Sequence, residues 1–195
     1  MRRNPIIPWI HSMEFTNTTE RHMDLCAVYS RIDAFMRQEP HANYTLVIGT
    51  DGQVHRGFTK LITGIIIRRE SKGAWACYRQ VIIPREIMSV REKLSTETSL
   101  SEEIACFFDK RKRNQLEDII MPFVYQGASF DVSIHIDAGQ DKIKSKTAFF
   151  VTEMVNRVES LGWVPVIKPD SYGASSYADR YSKSSSIPAV SLAKI

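Results

Sequence analysis

Hydrophobic positions along the chain follow two spacings, and the switches between them divide it into elements. Leu25, Val28, Tyr29, Ile32, Phe35 and Met36 recur at intervals of three and four, one face of a helix. Thr18 or Thr19 is its expected cap, and Gln38-Glu39-Pro40 its stop. Three short-linked apolar runs follow, 44–48 (YTLVI), 61–67 (LITGIII) and 74–84 (AWACYRQVIIP). Their β-branched and aromatic content predicts an antiparallel meander. Polar residues 52–59 read as the first connection, and Asp51-Gly52 is a favoured two-residue hairpin loop. Residues 68–73 (RRESKG) read as a charged turn.

From 89 to about 123 the spacing is helical again, opened by a capping box at Ser89 and Glu92. Val90, Leu94, Ile104 and Phe108 share its apolar face, and Glu97 projects close to the middle of that face. Glu102 and Glu103 point away from it and read as a solvated surface. The run 110–113 (KRKR) either breaks the helix or is its solvated side. Gly127 opens a strand over 130–137 (FDVSIHID). A helix with Phe150, Met154, Val158 and Leu161 on one face closes at Gly162, and a short strand covers 163–167. A last helix is expected from 173 or 174 to 183.

The order predicts an α/β fold: a mixed five-stranded sheet, three strands in a meander and two parallel, with helices on both faces. Right-handed crossovers put the fourth strand parallel to the first and beside it. Residues 1–43 read as an N-terminal extension carrying one helix packed on the domain, 44–183 as the domain, and 184–195 as a mobile serine-rich tail.

Composition narrows this picture only slightly. At 195 residues the chain suits one domain, and 26 basic against 22 acidic residues give a net charge of +4. That excess permits a polyanionic partner without requiring one. Cys26, Cys77 and Cys106 are far apart and form no CxxC pair, so they are expected to pack as small hydrophobes. The first residues lack the apolar core of a signal peptide, and no apolar run has the length of a membrane span, so a cytoplasmic setting is expected. Residues 139–147 lack the second glycine of a phosphate-binding loop, and 173–177 lack the closing glycine of a nucleophile elbow.

The acids carry more. Asp51 and Asp137 each end a buried strand, and parallel neighbours end at one edge of a sheet, where open α/β folds place their sites. Two bare carboxylates side by side repel, and a divalent cation removes the conflict. Glu97 has little reason to stand on an apolar face unless it reaches the same edge, and Asp170 or Asp179 follows the last strand. Such carboxylates are the hard oxygen ligands of Mg²⁺ or Mn²⁺. Two such ions about 4 Å apart serve phosphodiester hydrolysis. Thr50, Gln53 and His55 stand close enough in sequence to orient water or phosphate, although plain loop residues read equally well. His135 shares a strand side with Asp137 and reads as a packed residue before a ligand. Lys142, Lys144, Lys146 and the 110–113 run are candidates for a phosphate backbone. Trp75 and Tyr78 offer stacking surfaces, though strand aromatics more commonly pack in a core.

An Asp on the first strand, a Glu on the first sheet helix, an Asp on the fourth strand and an Asp on the last helix together resemble the ribonuclease H-like superfamily. The phrases IGTDGQVHR, GAWACYRQVIIP, REKLSTETSLSEEIA, YQGASFDVSIHIDAG and KPDSYGASSYADRYSK are similar to its YkuK family, over roughly residues 44–183. The resemblance implies metal-holding catalytic roles for Asp51, Glu97, Asp137 and Asp179. Asp179 is preferred to Asp170 because Ser-Tyr-Ala-Asp-Arg-Tyr matches the superfamily's closing Ala-Asp pattern. It implies a nuclease acting on RNA, DNA or a hybrid, with Asp51 bridging two ions, Asp137 and Glu97 on one and Asp179 on the other. The alternatives are a non-catalytic nucleic-acid-binding or interaction module on the same fold, and a small-phosphoester enzyme.

Overall fold

The computed structural model describes residues 13–139, 147, 149–171 and 177. In chain order it contains α1 (Leu25–Arg37), β1 (Asn43–His55), β2 (Phe58–Arg69), β3 (Ala74–Ile83), α2 (Val90–Phe107), α3 (Lys110–Ile120), a 3₁₀ helix (Met121–Gln126), β4 (Ser129–Gly139), α4 (Val151–Ser160) and β5 (Val164–Lys168). The sheet order is β3-β2-β1-β4-β5, with β1, β2 and β3 antiparallel and β4 and β5 parallel, as the pattern predicts. The expected last helix falls largely outside the described residues, as does the tail; of that helix only Tyr177 is described, and it is helical.

Strand alternation gives the sheet two different faces. Tyr44, Leu46 and Ile48 of β1, Ile65 and Ile67 of β2, Cys77 of β3 and Ile134 and Ile136 of β4 join the buried residues of all four helices in one core. The other face carries Thr45, Val47, Ile66, Arg68, Asp131, Ser133 and His135. They line, with Val164, Val166 and Asp170, a half-open cavity of about 410 Å³. Across its middle Gly49 pairs with both Gly64 and His135, and Gly64 with Tyr78, so two glycines occupy the centre of one cross-strand row. The ring of Tyr177 meets Tyr78 edge-on at 6.3 Å.

Four details depart from the sequence reading. The first connection is not at Asp51-Gly52, because both lie inside β1, paired with Ile62 and Leu61. The turn is Arg56-Gly57, where Gly57 takes a φ of +84° that favours glycine. The first helix starts at Asp24, whose carboxylate accepts from the Ala27 amide. Residues 17–20 form a turn on the Asn17 side chain instead, and Phe15 pairs with Met23 across it. The 89–123 helix breaks at Phe108-Asp109: Phe108 enters the core, Asp109 caps α3 through the Lys112 amide, and the 110–113 run begins the new helix. Finally, Cys77 is buried as expected, but Cys26 and Cys106 are exposed.

Helix α2 lies over β1 and β2 through polar contacts as well as apolar ones. Thr50 Oγ1 bonds Thr63 Oγ1 at 2.9 Å and Ser101 Oγ at 2.8 Å. Thr50 therefore tethers the helix to the sheet. Glu102 and Glu103 are not a solvated face: Glu103 accepts from buried Arg79, and Glu102 pairs with Arg157 of α4. Arg157 also donates to Ser95 Oγ at 3.0 Å and Ser99 Oγ at 2.8 Å, locking α4 against α2. No helix among the described residues is long and apolar enough to cross a membrane.

Ile134 is fully buried at the centre of β4, between Ile48 and Pro165 on the neighbouring strands. Replacing it with alanine removes three buried carbons where rigid strands limit relaxation. Ile134→Ala is expected to cost about 3 kcal/mol of stability, read as a lowered urea midpoint with an unchanged slope.

Candidate functional site

The parallel pairing of β1 with β4 runs from Asn43↔Ser129 to Gly49↔His135. The ladder ends there; Asp51 and Asp137 follow two residues later on the adjacent strands, where β4 carries an irregularity between His135 and Gly139. Thr50 faces α2 through its bond to Ser101, so Asp51 projects to the opposite face. Ile136 and Ala138 are in the helical core, so Asp137 projects the same way. Asp51 is buried and Asp137 half-buried.

Glu97 arrives from the other side. Ser89 caps α2 by accepting from the Glu92 amide, and the phase this sets turns Glu97 onto the buried face with Leu94, Ser101 and Ile104. It is only 5% exposed. Its Oε1 lies 2.9 Å from where a Cβ on Gly52 would stand, and the Leu61 Cδ2 methyl 2.7 Å from the same point. Gly52 is thus the gap through which a helix-side carboxyl reaches the end of β1. Any side chain there would displace Glu97 or Leu61.

Two lysines accompany the acids. Lys93, one turn before Glu97, holds its ammonium 3.3 Å from Glu97 Oε1. This is an ion pair without hydrogen-bond alignment, because Oε1 is buried and has no hydrogen-bond partner. Lys168 Nζ stands 2.7 Å from Asp137 Oδ1. Burial drives the Glu97 pKa up, Lys93 opposes this, and the charges of Asp51 and Asp137 add to it, leaving the group at about 8. Burial pushes the Lys93 pKa down, but Glu97, Asp51 and Asp137 outweigh it and leave it raised. The three acids and Lys93 therefore share one electrostatic neighbourhood.

Among the described residues, no group of three or more His, Cys, Asp or Glu side chains is gathered closely enough to hold a metal ion. The reason is geometric: two aspartates stand on one face of β1 and β4, Glu97 comes from the other, and lysine ammoniums stand beside Glu97 and Asp137. The donor set nonetheless suits a hard divalent cation, with three carboxylates in one field and one orphaned, buried oxygen. Asp179, Lys142, Lys144 and Lys146 lie outside the described residues. Asp170 lines the cavity on the aspartates' face, beyond the cis peptide before Pro169.

The remaining candidates separate clearly. His135 lines the same cavity, with burial the main cause of its lowered pKa; a backbone contact from Ser171 opposes the shift and Arg68 adds to it. Its Nδ1 is buried without a hydrogen-bond partner. His55 stacks on Phe58 at 4.7 Å in the hairpin, and Gln53 is exposed. Trp75 packs against the core. The residues that sequence reasoning missed are Lys93, Lys168 and Gly52. The signal for Lys93 was its four-residue spacing to Glu97, which normally marks a surface pair.

Glu97 makes the stability of the metal-free protein depend on pH. Its folded pKa of about 8 lies above its value in an unfolded chain, so the fold favours the protonated acid. That contribution is complete below the unfolded value and is lost as pH rises through about 8. Unfolding free energies from urea titrations are expected to fall between pH 5 and pH 9 by an amount on the order of a few kcal/mol, and to fall much less in Glu97→Gln. A parallel decline in both proteins would show that Glu97 is not the responsible group.

With this geometry in hand, comparison with known proteins is direct. The ribonuclease H-like family model matches residues 27–183. The uncharacterized protein YkuK of Bacillus subtilis (strain 168) is 40% identical over 172 residues, covering 88% of this chain and 98% of that protein. No solved structure matches. The strand order, the crossover and the extent of both matches lead to one assignment: the chain belongs to the ribonuclease H-like superfamily and, within it, to the YkuK family.

Proposed function

We propose that the chain is a divalent-metal-dependent nuclease that hydrolyses phosphodiester bonds in RNA, DNA or an RNA–DNA hybrid. The observation that carries this reading is that Asp51, Asp137 and Glu97, whose buried carboxyl oxygen has no hydrogen bond, act on one another in a single electrostatic neighbourhood. Asp51, Glu97 and Asp137 would hold Mg²⁺ or Mn²⁺, with Asp179 as the fourth acid. When bound, such an ion supplies Lewis-acid stabilisation of the charge that develops on phosphate oxygens and makes water a better nucleophile.

The chain's own residues do the rest. Asp51, fixed by its pairing with Ile62, and Asp137, held by its ion pair with Lys168, orient the site without needing to reorganise. Glu97, held by a capped helix over Gly52, sets a third carboxylate against them from the opposite side. Lys168 is half exposed and bonded to Asp137, within reach of a phosphate that approaches that edge. Lys142, Lys144 and Lys146 would meet the backbone further along, giving salt-sensitive binding. A cytoplasmic setting belongs to the same reading.

One observation favours the runner-up, a nucleic-acid-binding module without catalysis: Lys93 and Lys168 already neutralise two of the acids. The two readings part in a single assay of labelled RNA, DNA and hybrid with Mg²⁺ or Mn²⁺. Cleavage by the natural protein is expected, reduced by about a hundredfold or more in Asp51→Asn and Asp137→Asn. Salt-sensitive binding with no turnover by the folded protein would establish the module instead, and hydrolysis of small phosphoesters alone would redirect the substrate class.

A further inference from the structure

We propose that Lys93 is the resident counter-cation of the acid edge, so that a divalent ion enters only as the Lys93 ammonium leaves. The inference rests on the reading of this edge as a metal site, and it concerns what regulates occupancy there.

Three features set Lys93 apart from an ordinary surface lysine. Its partner is enclosed: the Glu97 side chain is 6% exposed, against 31% for Lys93, so the lysine reaches inward to a carboxyl that cannot come out to meet it. Its stem is fitted to the site, since Cε lies 3.3 Å from the point above Gly52 where Glu97 Oε1 also converges. Its ammonium stands 3.3 Å from the one Glu97 oxygen that is buried without a hydrogen bond.

The contact is also the kind that can be exchanged. A hydrogen-bonded clamp would align Nζ with a lone pair of Oε1, whereas here the ammonium stands 3.3 Å away and the oxygen has no hydrogen-bond partner. Lys93 thus supplies charge more than geometry. A divalent ion on the same oxygen would repel the ammonium and would also satisfy the donor that Lys93 leaves unsatisfied. With four single bonds in its stem and an open route to solvent, Lys93 can swing outward, where a phosphate backbone would receive it. Lys168 differs: at 54% exposed, it pairs with Asp137, itself more exposed than Glu97, from a more solvated position.

Amine acetylation read residue by residue by mass spectrometry tests this on the natural protein, with Mn²⁺ binding followed by electron paramagnetic resonance. Lys93 labelling is expected to rise several-fold over the same Mn²⁺ range in which the ion binds. Mn²⁺ binding that leaves Lys93 labelling unchanged would overturn the proposal. Independently, Lys93→Met is expected to bind Mn²⁺ several-fold more tightly than the natural protein, and Lys72→Met, which removes a lysine paired with Glu39 away from the acid edge, within twofold of it. Equal or weaker binding by Lys93→Met would also overturn it. Failure of Mn²⁺ to bind any of the three proteins would instead remove the metal reading itself.

Discussion

Everything at the acid edge depends on one pairing, the parallel ladder between β1 and β4. It is built from non-local contacts, and the chain returns from β3 to β4 through α2 and α3. In exchange it fixes two strands to a common level with no freedom to slip. A one-residue slip of β4 against β1 would turn the buried Ile134 and Ile136 outward and send Asp137 toward the core. The apolar alternation that stabilises the fold is therefore the same constraint that keeps Asp51 and Asp137 side by side.

The cost of that placement is electrostatic, and the structure answers it locally. Two aspartates and a buried glutamate in one neighbourhood would repel; burial is the main cause of the raised Glu97 pKa, and the charges of the two aspartates add to it. Lysines one helical turn away and at the end of β5 offset part of it. A site whose charges were fully balanced by fixed partners would have no residual affinity for anything else. Here one carboxyl oxygen is left without a hydrogen bond, which is the chemical signature of an incomplete arrangement.

The large-scale order and the placement of the two aspartates on adjacent strands were legible because both follow from period and crossover handedness, which are strong signals. Glu97 was legible from helical phase alone. What the sequence hid were choices between near-equal local options. Asp51-Gly52 and Arg56-Gly57 both offer a glycine turn, and the second is realised where Thr59 accepts from the Ile87 amide and donates to the Arg85 carbonyl, tying the hairpin to the chain after β3. The helix break at Phe108 carries no Gly or Pro to announce it; it is made by a ring turning inward against Tyr29, Phe107 and Trp163. Glu102 and Glu103 pointed away from the apolar stripe, yet arginines from α4 and β3 came to them, which a one-dimensional pattern cannot reveal.

The Arg157 clamp has a mechanical consequence. Ser95, Ser99 and Glu102 form a stripe on α2, and one guanidinium grips all three. Helix α4 feeds directly into β5, so the part of the chain that bears Lys168 is bolted to the part that bears Lys93 and Glu97. The two walls of the acid edge form one stiff frame and cannot open by parting from each other. Motion at the site is left to the swing of side chains and to the β1–β2 ribbon, which continues four residues past Asp51 to its Arg56-Gly57 tip.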